Sequence, residues 1–311
     1  MSILDKEFGM EFRPFLQKTG KMFIDRKEGF IYHYTSSEGL LGILRDKTLW
    51  FTDTMGLNDS SEGNYIWEIL EECLEGNYDE KFNTSIKALE KDSYEIDDDM
   101  KGTFEPHSYF ICSFSENQDS LQMWNYYTKN INSVGYNICF DRQHLIKSVK
   151  EWDKNFEVTL CQVIYDKEKQ KEWMKSALDL IYKYWKKHKK NYRLELLSCL
   201  QYLFARVRIV FKHPSFANEQ EVRLVVELAG SQFFDNLTTM PKQKEVKIRI
   251  VNNMFVPYLE VPFKEPSIIK QITTSPIIKD DTIVDSVYLL LYKYGEIDSC
   301  EIKRSEIPLK Y

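Results

Sequence analysis

Strand-like and helix-like runs follow one another in this chain at unequal intervals, and that irregularity narrows its folding options sharply. Runs that read as strands are Glu28–Tyr34, Leu49–Thr52, Ser108–Glu116, Val134–Asp141, Glu157–Asp166 and Glu221–Leu228, then 245–251, 258–261, 267–274 and 300–307. Between Asp166 and Glu221 lies a long helical region, Lys167 to about Val207, with a break into two helices expected near KKHKKN. A doubly wound parallel sheet needs one helix per strand, and that rhythm is absent. The chain therefore predicts an α+β fold of mixed, mostly antiparallel sheets with flanking helices. It divides into a lead-in over 1–28 and a single domain over 29–311, with a helical insertion at about 167–210.

Shorter signals fill in the rest. Pro14 is expected to break or kink a helix around Phe8–Lys18. Thr35-Ser36-Ser37-Glu38 reads as a capping box with Thr35 as N-cap, opening a helix that runs to Asp46. Further helices fit Ser61–Leu74, Glu80–Lys91 and Asp281–Tyr294, with a short aromatic one in QDSLQMWNYYT. Gly56–Gly63 is rich in turn residues, and the acidic stretch Glu90–Gly102 reads as a solvated loop.

Composition removes several function classes. At 311 residues and 43% hydrophobic the chain can bury a sizeable core. No apolar run reaches the roughly 18–20 residues of a membrane span. The N-terminal MSILDKEFGMEF carries acids where a signal peptide has a basic flank, so a cytoplasmic protein is expected. Six scattered cysteines without a C-x-x-C pair read as buried thiols of a reducing compartment. The five histidines lack metal-ligand spacing, so no metal is expected. G-x-G-x-x-G, G-K-[ST] and G-x-S-x-G are all absent. A net charge of −6 argues against a whole-surface nucleic-acid binder. One basic run, Lys183–Arg193, contains Lys186, Lys187, Lys189, Lys190 and Arg193. It reads either as a solvated helix face or as a dock for RNA, DNA or an acidic protein, with Tyr184, Trp185 and Tyr192 available to stack.

Three features stand in a suggestive order: His33 with Tyr34 and Thr35, then Ser113 and Ser115, then Glu219 and Glu221. Together they suit displacement at a glycosidic carbon through a cation-like transition state. The carboxylate stabilises the positive charge, a hydroxyl orients the carboxylate, and the histidine fixes a ribose hydroxyl. Trp124 or Tyr127 would stack on the leaving base. Every one of these also has a plain structural role. His33 can be a half-buried imidazole bonded to backbone, the glutamates can pair with Arg223, and the aromatic rings can be core.

The blocks YHYTSSEGLLGIL, LWFTDTMGLNDSSEG, CSFSENQDSLQMWNYYT with GYNICFD, FANEQEVRLVV and the late SEIP resemble a bacterial family called domain of unknown function 2971, from about Ile31 to Pro308. Tyr32-His33-Tyr34-Thr35 with Gly42-Ile43-Leu44 also resembles, more distantly, the first strand and helix of ADP-ribosyltransferases. That resemblance implies NAD as substrate and a macromolecular acceptor, in a bacterial toxin or phage-defence effector. His33 would anchor the dinucleotide with Tyr34 and Thr35. Ser113 and Ser115 resemble the serine–x–serine element, and Glu219 and Glu221 the glutamate–x–glutamate element, in which the second residue catalyses and the first activates the acceptor. Two other readings stand beside it: a non-catalytic module sensing a nucleotide or a partner, and a nuclease-like effector using Asp59, Glu62 and His33.

Overall fold

The structure, a computed structural model, describes residues 6–54, 65–91, 108–127, 134–152, 156–188, 190–228, 246–251, 253–264, 267–277 and 281–308. The strands are β1 Phe30–Ser36, β2 Thr48–Asp53, β3 Ser108–Ser115, β4 Gly135–Asp141, β5 Glu157–Gln162, β6 Glu221–Leu228, β7 Lys247–Val251, β8 Met254–Pro262, β9 Ile269–Thr274 and β10 Glu301–Arg304. The helices are α1 Lys6–Phe23, α2 Ser37–Asp46, α3 Tyr65–Leu74, α4 Glu80–Lys91, α5 Leu121–Tyr127, α6 Arg142–Trp152, α7 Lys167–Trp185, α8 Lys190–Arg208 and α9 Asp281–Tyr294. The α+β expectation holds: the described strands form one sheet in which every pairing is antiparallel except β9 with β10.

The sheet forks at β3. One edge of β3 is taken by β6 along its whole length, from Ser108 opposite Leu228 to Ser115 opposite Glu221. Its other edge is shared. Tyr32 of β1 pairs with Ser115, whereas Thr52 and Asp53 of β2 pair with Ile111 and Phe110. From the fork one arm runs β1–β4–β9–β10 and the other β2–β8–β7, while β5 extends the β6 side.

Strand alternation then splits the core in two. Phe110, Cys112 and Phe114 of β3 and Val222, Leu224 and Val226 of β6 join one cluster, closed by Leu40, Ile43 and Leu44 of α2, Leu145 and Val149 of α6, and Val287 and Leu291 of α9. Tyr109 and Ile111 of β3 and Val225 of β6 join the other, closed by α1, α3, α4, α7 and α8. Helices therefore cover both faces. No described helix is long and apolar enough to cross a membrane.

Several local expectations change. Helix α1 passes through Pro14 unbroken. The carbonyl of Met10 loses its helical donor there, and Met10 is 63% exposed, so water can replace it. The lead-in is also structural, with Phe8 and Phe23 buried in the helical cluster. Strand β1 runs on to Ser36, and Ser36, not Thr35, caps α2 by accepting the Gly39 amide at 3.2 Å. Thr35 stays in the strand opposite Tyr136, as suits a β-branched residue. A Cβ at Gly39 would lie 2.0 Å from Thr35 Oγ1, so glycine is what lets α2 start against that hydroxyl. The long helical region does break, between Trp185 and Lys190. Helix α6 is an addition to the expected elements, although Leu145, Ile146, Val149 and Trp152 recur at helical spacing along its eleven residues. Gly56–Gly63 and most of Glu90–Gly102 lie outside the described residues, as do Asp59 and Glu62.

Candidate functional site

His33 sits in the fork. The register pairs Tyr32 with Ser115, so His33 falls level with Phe114, and the two rings lie 5.5 Å apart. Because β1 and β2 diverge here, β3 has carbonyls without a neighbouring strand. The imidazole takes one of them: Nδ1 lies 2.9 Å from the Ser113 carbonyl oxygen, the distance of an N–H donating to it. Burial pushes the imidazole below its ordinary 6.5, and the Ser113 bond offsets only part of that. The ring is thus a neutral plug in the split of the sheet.

Glu219 and Glu221 lie elsewhere. Glu221 is opposite Ser115, and Arg223 opposite Ser113, on the face away from Phe114 and Val222. The Glu221 carboxylate is clamped by Arg223, with Nε to Oε1 at 2.8 Å and Nη2 to Oε2 at 2.9 Å, a bidentate geometry. Lys212 Nζ donates to Glu221 Oε2 at 3.0 Å and to Glu219 Oε2 at 2.6 Å. Burial alone would raise the Glu221 pKa. Arg223 and Lys212 outweigh it, with the Ser113 hydroxyl assisting, and bring the carboxyl to about 2. Two carboxylates and two cations make a neutral, nearly water-free network. Gln220 holds it in shape with φ 44° and ψ 48°, a left-handed cap ending the 3₁₀ turn Pro214–Glu219.

The remaining candidates separate in the same way. Ser115 is fully buried, donating to the Glu219 carbonyl at 2.6 Å and accepting the Asn117 amide at 2.9 Å. It shapes a turn. Tyr34 points to the Glu221 side of the sheet but is spent locally, its hydroxyl donating to the Asn117 carbonyl and accepting the Ser120 amide. Trp124 is fully buried, edge-on to Tyr34 at 4.8 Å, with Nε1 donating to Asp119 Oδ1. It is core, and no platform for a base. The Tyr127 side chain and those of Lys189 and Lys190 lie outside the described residues. In the basic run Lys183 pairs with Glu11 at 2.5 Å and Lys187 with Glu7 at 3.5 Å, both on α1. Lys186 covers the Tyr182 ring, and Arg193 covers the Trp185 ring. Much of this charge holds the two helices together. Among the described residues no group of histidine, cysteine and acidic side chains could hold a metal, and the six cysteines are unpaired.

What the sequence did not announce is a cavity of about 920 Å³ between the C-terminal half of α1, the chain leaving β5 and the start of α7. Phe15, Met22, Ile164, Tyr165 and Trp173 give it an apolar wall, and Lys18, Lys21 and Lys169 supply its cations. Tyr165 joins it to the charged network, because its hydroxyl accepts the Glu221 amide N–H at 3.1 Å. Burial pushes that phenol well above its ordinary range. The wall comes from segments far apart in the chain, so no local spacing could mark it.

Residues 123–224 match the model of a family described as a protein of unknown function, DUF2971. That span carries Trp124, Tyr165, Lys212, Glu219, Glu221 and Arg223, and stops short of His33, Ser113 and Ser115. The family resemblance read from the sequence blocks is supported there. No curated protein and no solved structure matches the chain.

Proposed function

We propose that this protein is a non-catalytic small-molecule-sensing module. The observation that carries this reading is the Tyr165 link, which gives a cavity of ligand size a direct bond to the Glu219–Gln220–Glu221 turn. An occupant pressing on the phenol ring would move the Glu221 amide, and through it the left-handed turn.

The same geometry gives little support to ADP-ribosyl transfer through His33 and Glu221. A catalytic carboxylate must be open to the developing cation, whereas Arg223 and Lys212 already occupy both Glu221 oxygens. The dinucleotide would also have to meet His33 and Glu221 together, and the register sets them on opposite faces.

Two measurements test the reading. Protein purified from cells is denatured, and the released small molecules are identified by mass spectrometry. A stoichiometric compound is expected from the wild type and a reduced amount from Ser176→Trp, which sets an indole at a lining position of the cavity. Separately, labelled NAD with cell lysate should release no nicotinamide above background. Release that disappears in Glu221→Gln would overturn the sensing reading in favour of the transferase.

A further inference from the structure

We propose that the cavity beneath α1 takes an amphipathic organic anion, an apolar body against Phe15, Met22 and Ile164 with its acidic head at Lys18 and Lys21. The proposal rests on the sensing reading above and names its ligand class. Lys18 and Lys21 are three residues apart on one helix, so their ammonium groups can reach a single anion. Both are exposed, and neither meets an acidic partner among the described residues. The third cation of the wall is already used, since Lys169 pairs with Asp166 at 3.6 Å. Asp166 in turn caps α7 by accepting the amides of Glu168 and Lys169. Glu172 is the one wall carboxylate with no ion pair among the described residues, and it stands on α7 rather than on α1.

The wall argues against a nucleotide. Trp173 is only 6% exposed, its ring edge-on to Phe211 at 5.7 Å and its Nε1 donating to Thr19 Oγ1 at 2.9 Å. It has neither an open face for a base nor a spare donor for a ribose. A triphosphate would find two uncommitted ammonium groups and few other donors, far fewer than a phosphate site assembles. An alkyl or aryl body of one negative charge suits both the apolar wall and the paired lysines.

The test is calorimetric titration of the full chain with dodecanoate, dodecanol and ATP. Dodecanoate should bind, dodecanol roughly tenfold more weakly, and ATP not measurably. Lys18→Gln with Lys21→Gln should weaken dodecanoate about tenfold and leave dodecanol unchanged. The melting temperature should not move, because both side chains are exposed. Ser176→Trp should weaken dodecanoate and dodecanol together. Equal affinity for dodecanoate and dodecanol, an unaffected double lysine variant, or tight ATP binding would overturn the ligand class while leaving a sensing cavity. Failure of all three probes, with nothing released from purified protein, would overturn the cavity reading as well.

Discussion

Phe114 and Ser115 are neighbours on one strand, yet they belong to two different kinds of interior. Phe114 enters an apolar layer beside Phe140 and Val222, where the one polar neighbour described, His33, is satisfied by the Ser113 carbonyl. Ser115, one residue on, faces the side where Glu221, Arg223, Lys212 and Tyr165 are joined by hydrogen bonds. The first side gains from non-directional burial, which tolerates small shifts but not cavities. The second gains only if every charge keeps its partner. A carboxylate whose two oxygens are both occupied, as those of Glu221 are, holds shape and is poorly placed to do chemistry.

That contrast can be broken by substitution. Phe114→Ala should cost about 3–5 kcal/mol in urea unfolding, as large-to-small changes in apolar cores do. Arg223→Met should cost a comparable amount, about 3–5 kcal/mol, because it leaves the buried Glu221 carboxylate with a cation, Lys212, that it shares with Glu219. The second substitution is where the two sides differ. Adding Glu221→Leu to Arg223→Met removes one charge of each sign and leaves the Lys212–Glu219 pair, so much of the loss should return. No partner substitution should rescue Phe114→Ala to that extent. If the double charge variant is no more stable than Arg223→Met, the stability of this side does not rest on the pairing of Glu221 with Arg223.

Acid sharpens the difference further. The Glu221 carboxyl has its folded-state pKa depressed from an ordinary 4.5 to about 2, chiefly by Arg223 and Lys212 against its own burial. A depressed carboxylate contributes stability that is complete above the unfolded value and is lost as pH falls through the folded one. Urea midpoints should therefore drop between pH 4.5 and 2 more steeply in the wild type than in Glu221→Gln. Parallel curves would mean that Glu221 is not held ionised.

The fork should give a smaller effect. His33→Phe removes the bond to the Ser113 carbonyl and should cost about 1 kcal/mol, the usual worth of one such bond. His33 has a lowered pKa, so its contribution is present above 6.5 and declines as pH falls below that value. The phenylalanine variant should lack this decline. The smallest change belongs to the surface. Lys183→Gln with Lys187→Gln breaks two exposed pairs to α1 and should shift the urea midpoint less than any substitution above. A large loss of RNA binding in Lys186→Gln with Lys187→Gln would restore the docking role to that run.

Much of the fold was readable because it depends on short-range rules. Alternating residues in SYFICSFS and EVRLVVEL marked β3 and β6, and KKHKKN marked the break between α7 and α8. The α+β class followed from the irregular spacing of such runs. Where two local signals competed, the sequence chose less well. Thr35 and Ser36 can both cap a helix, and only the pairing of Thr35 with Tyr136 settled the cap on Ser36.

The candidate site shows the limit more sharply. Sequence determined the residue types and their order: a histidine at the end of the first strand, two serines, two glutamates beside an arginine. It also determined that Ser113 and Ser115 share a face, since alternation is a property of one strand. Whether His33 shares that face depends on the register between β1 and β3, fixed by one pairing, Tyr32 with Ser115. A shift of one residue would have put His33 beside Glu221. The cavity lay further out of reach, because α1, the end of β5 and α7 meet only after the chain has folded. Local spacing encodes elements and their faces, whereas register and the meeting of distant segments are set by packing of the whole.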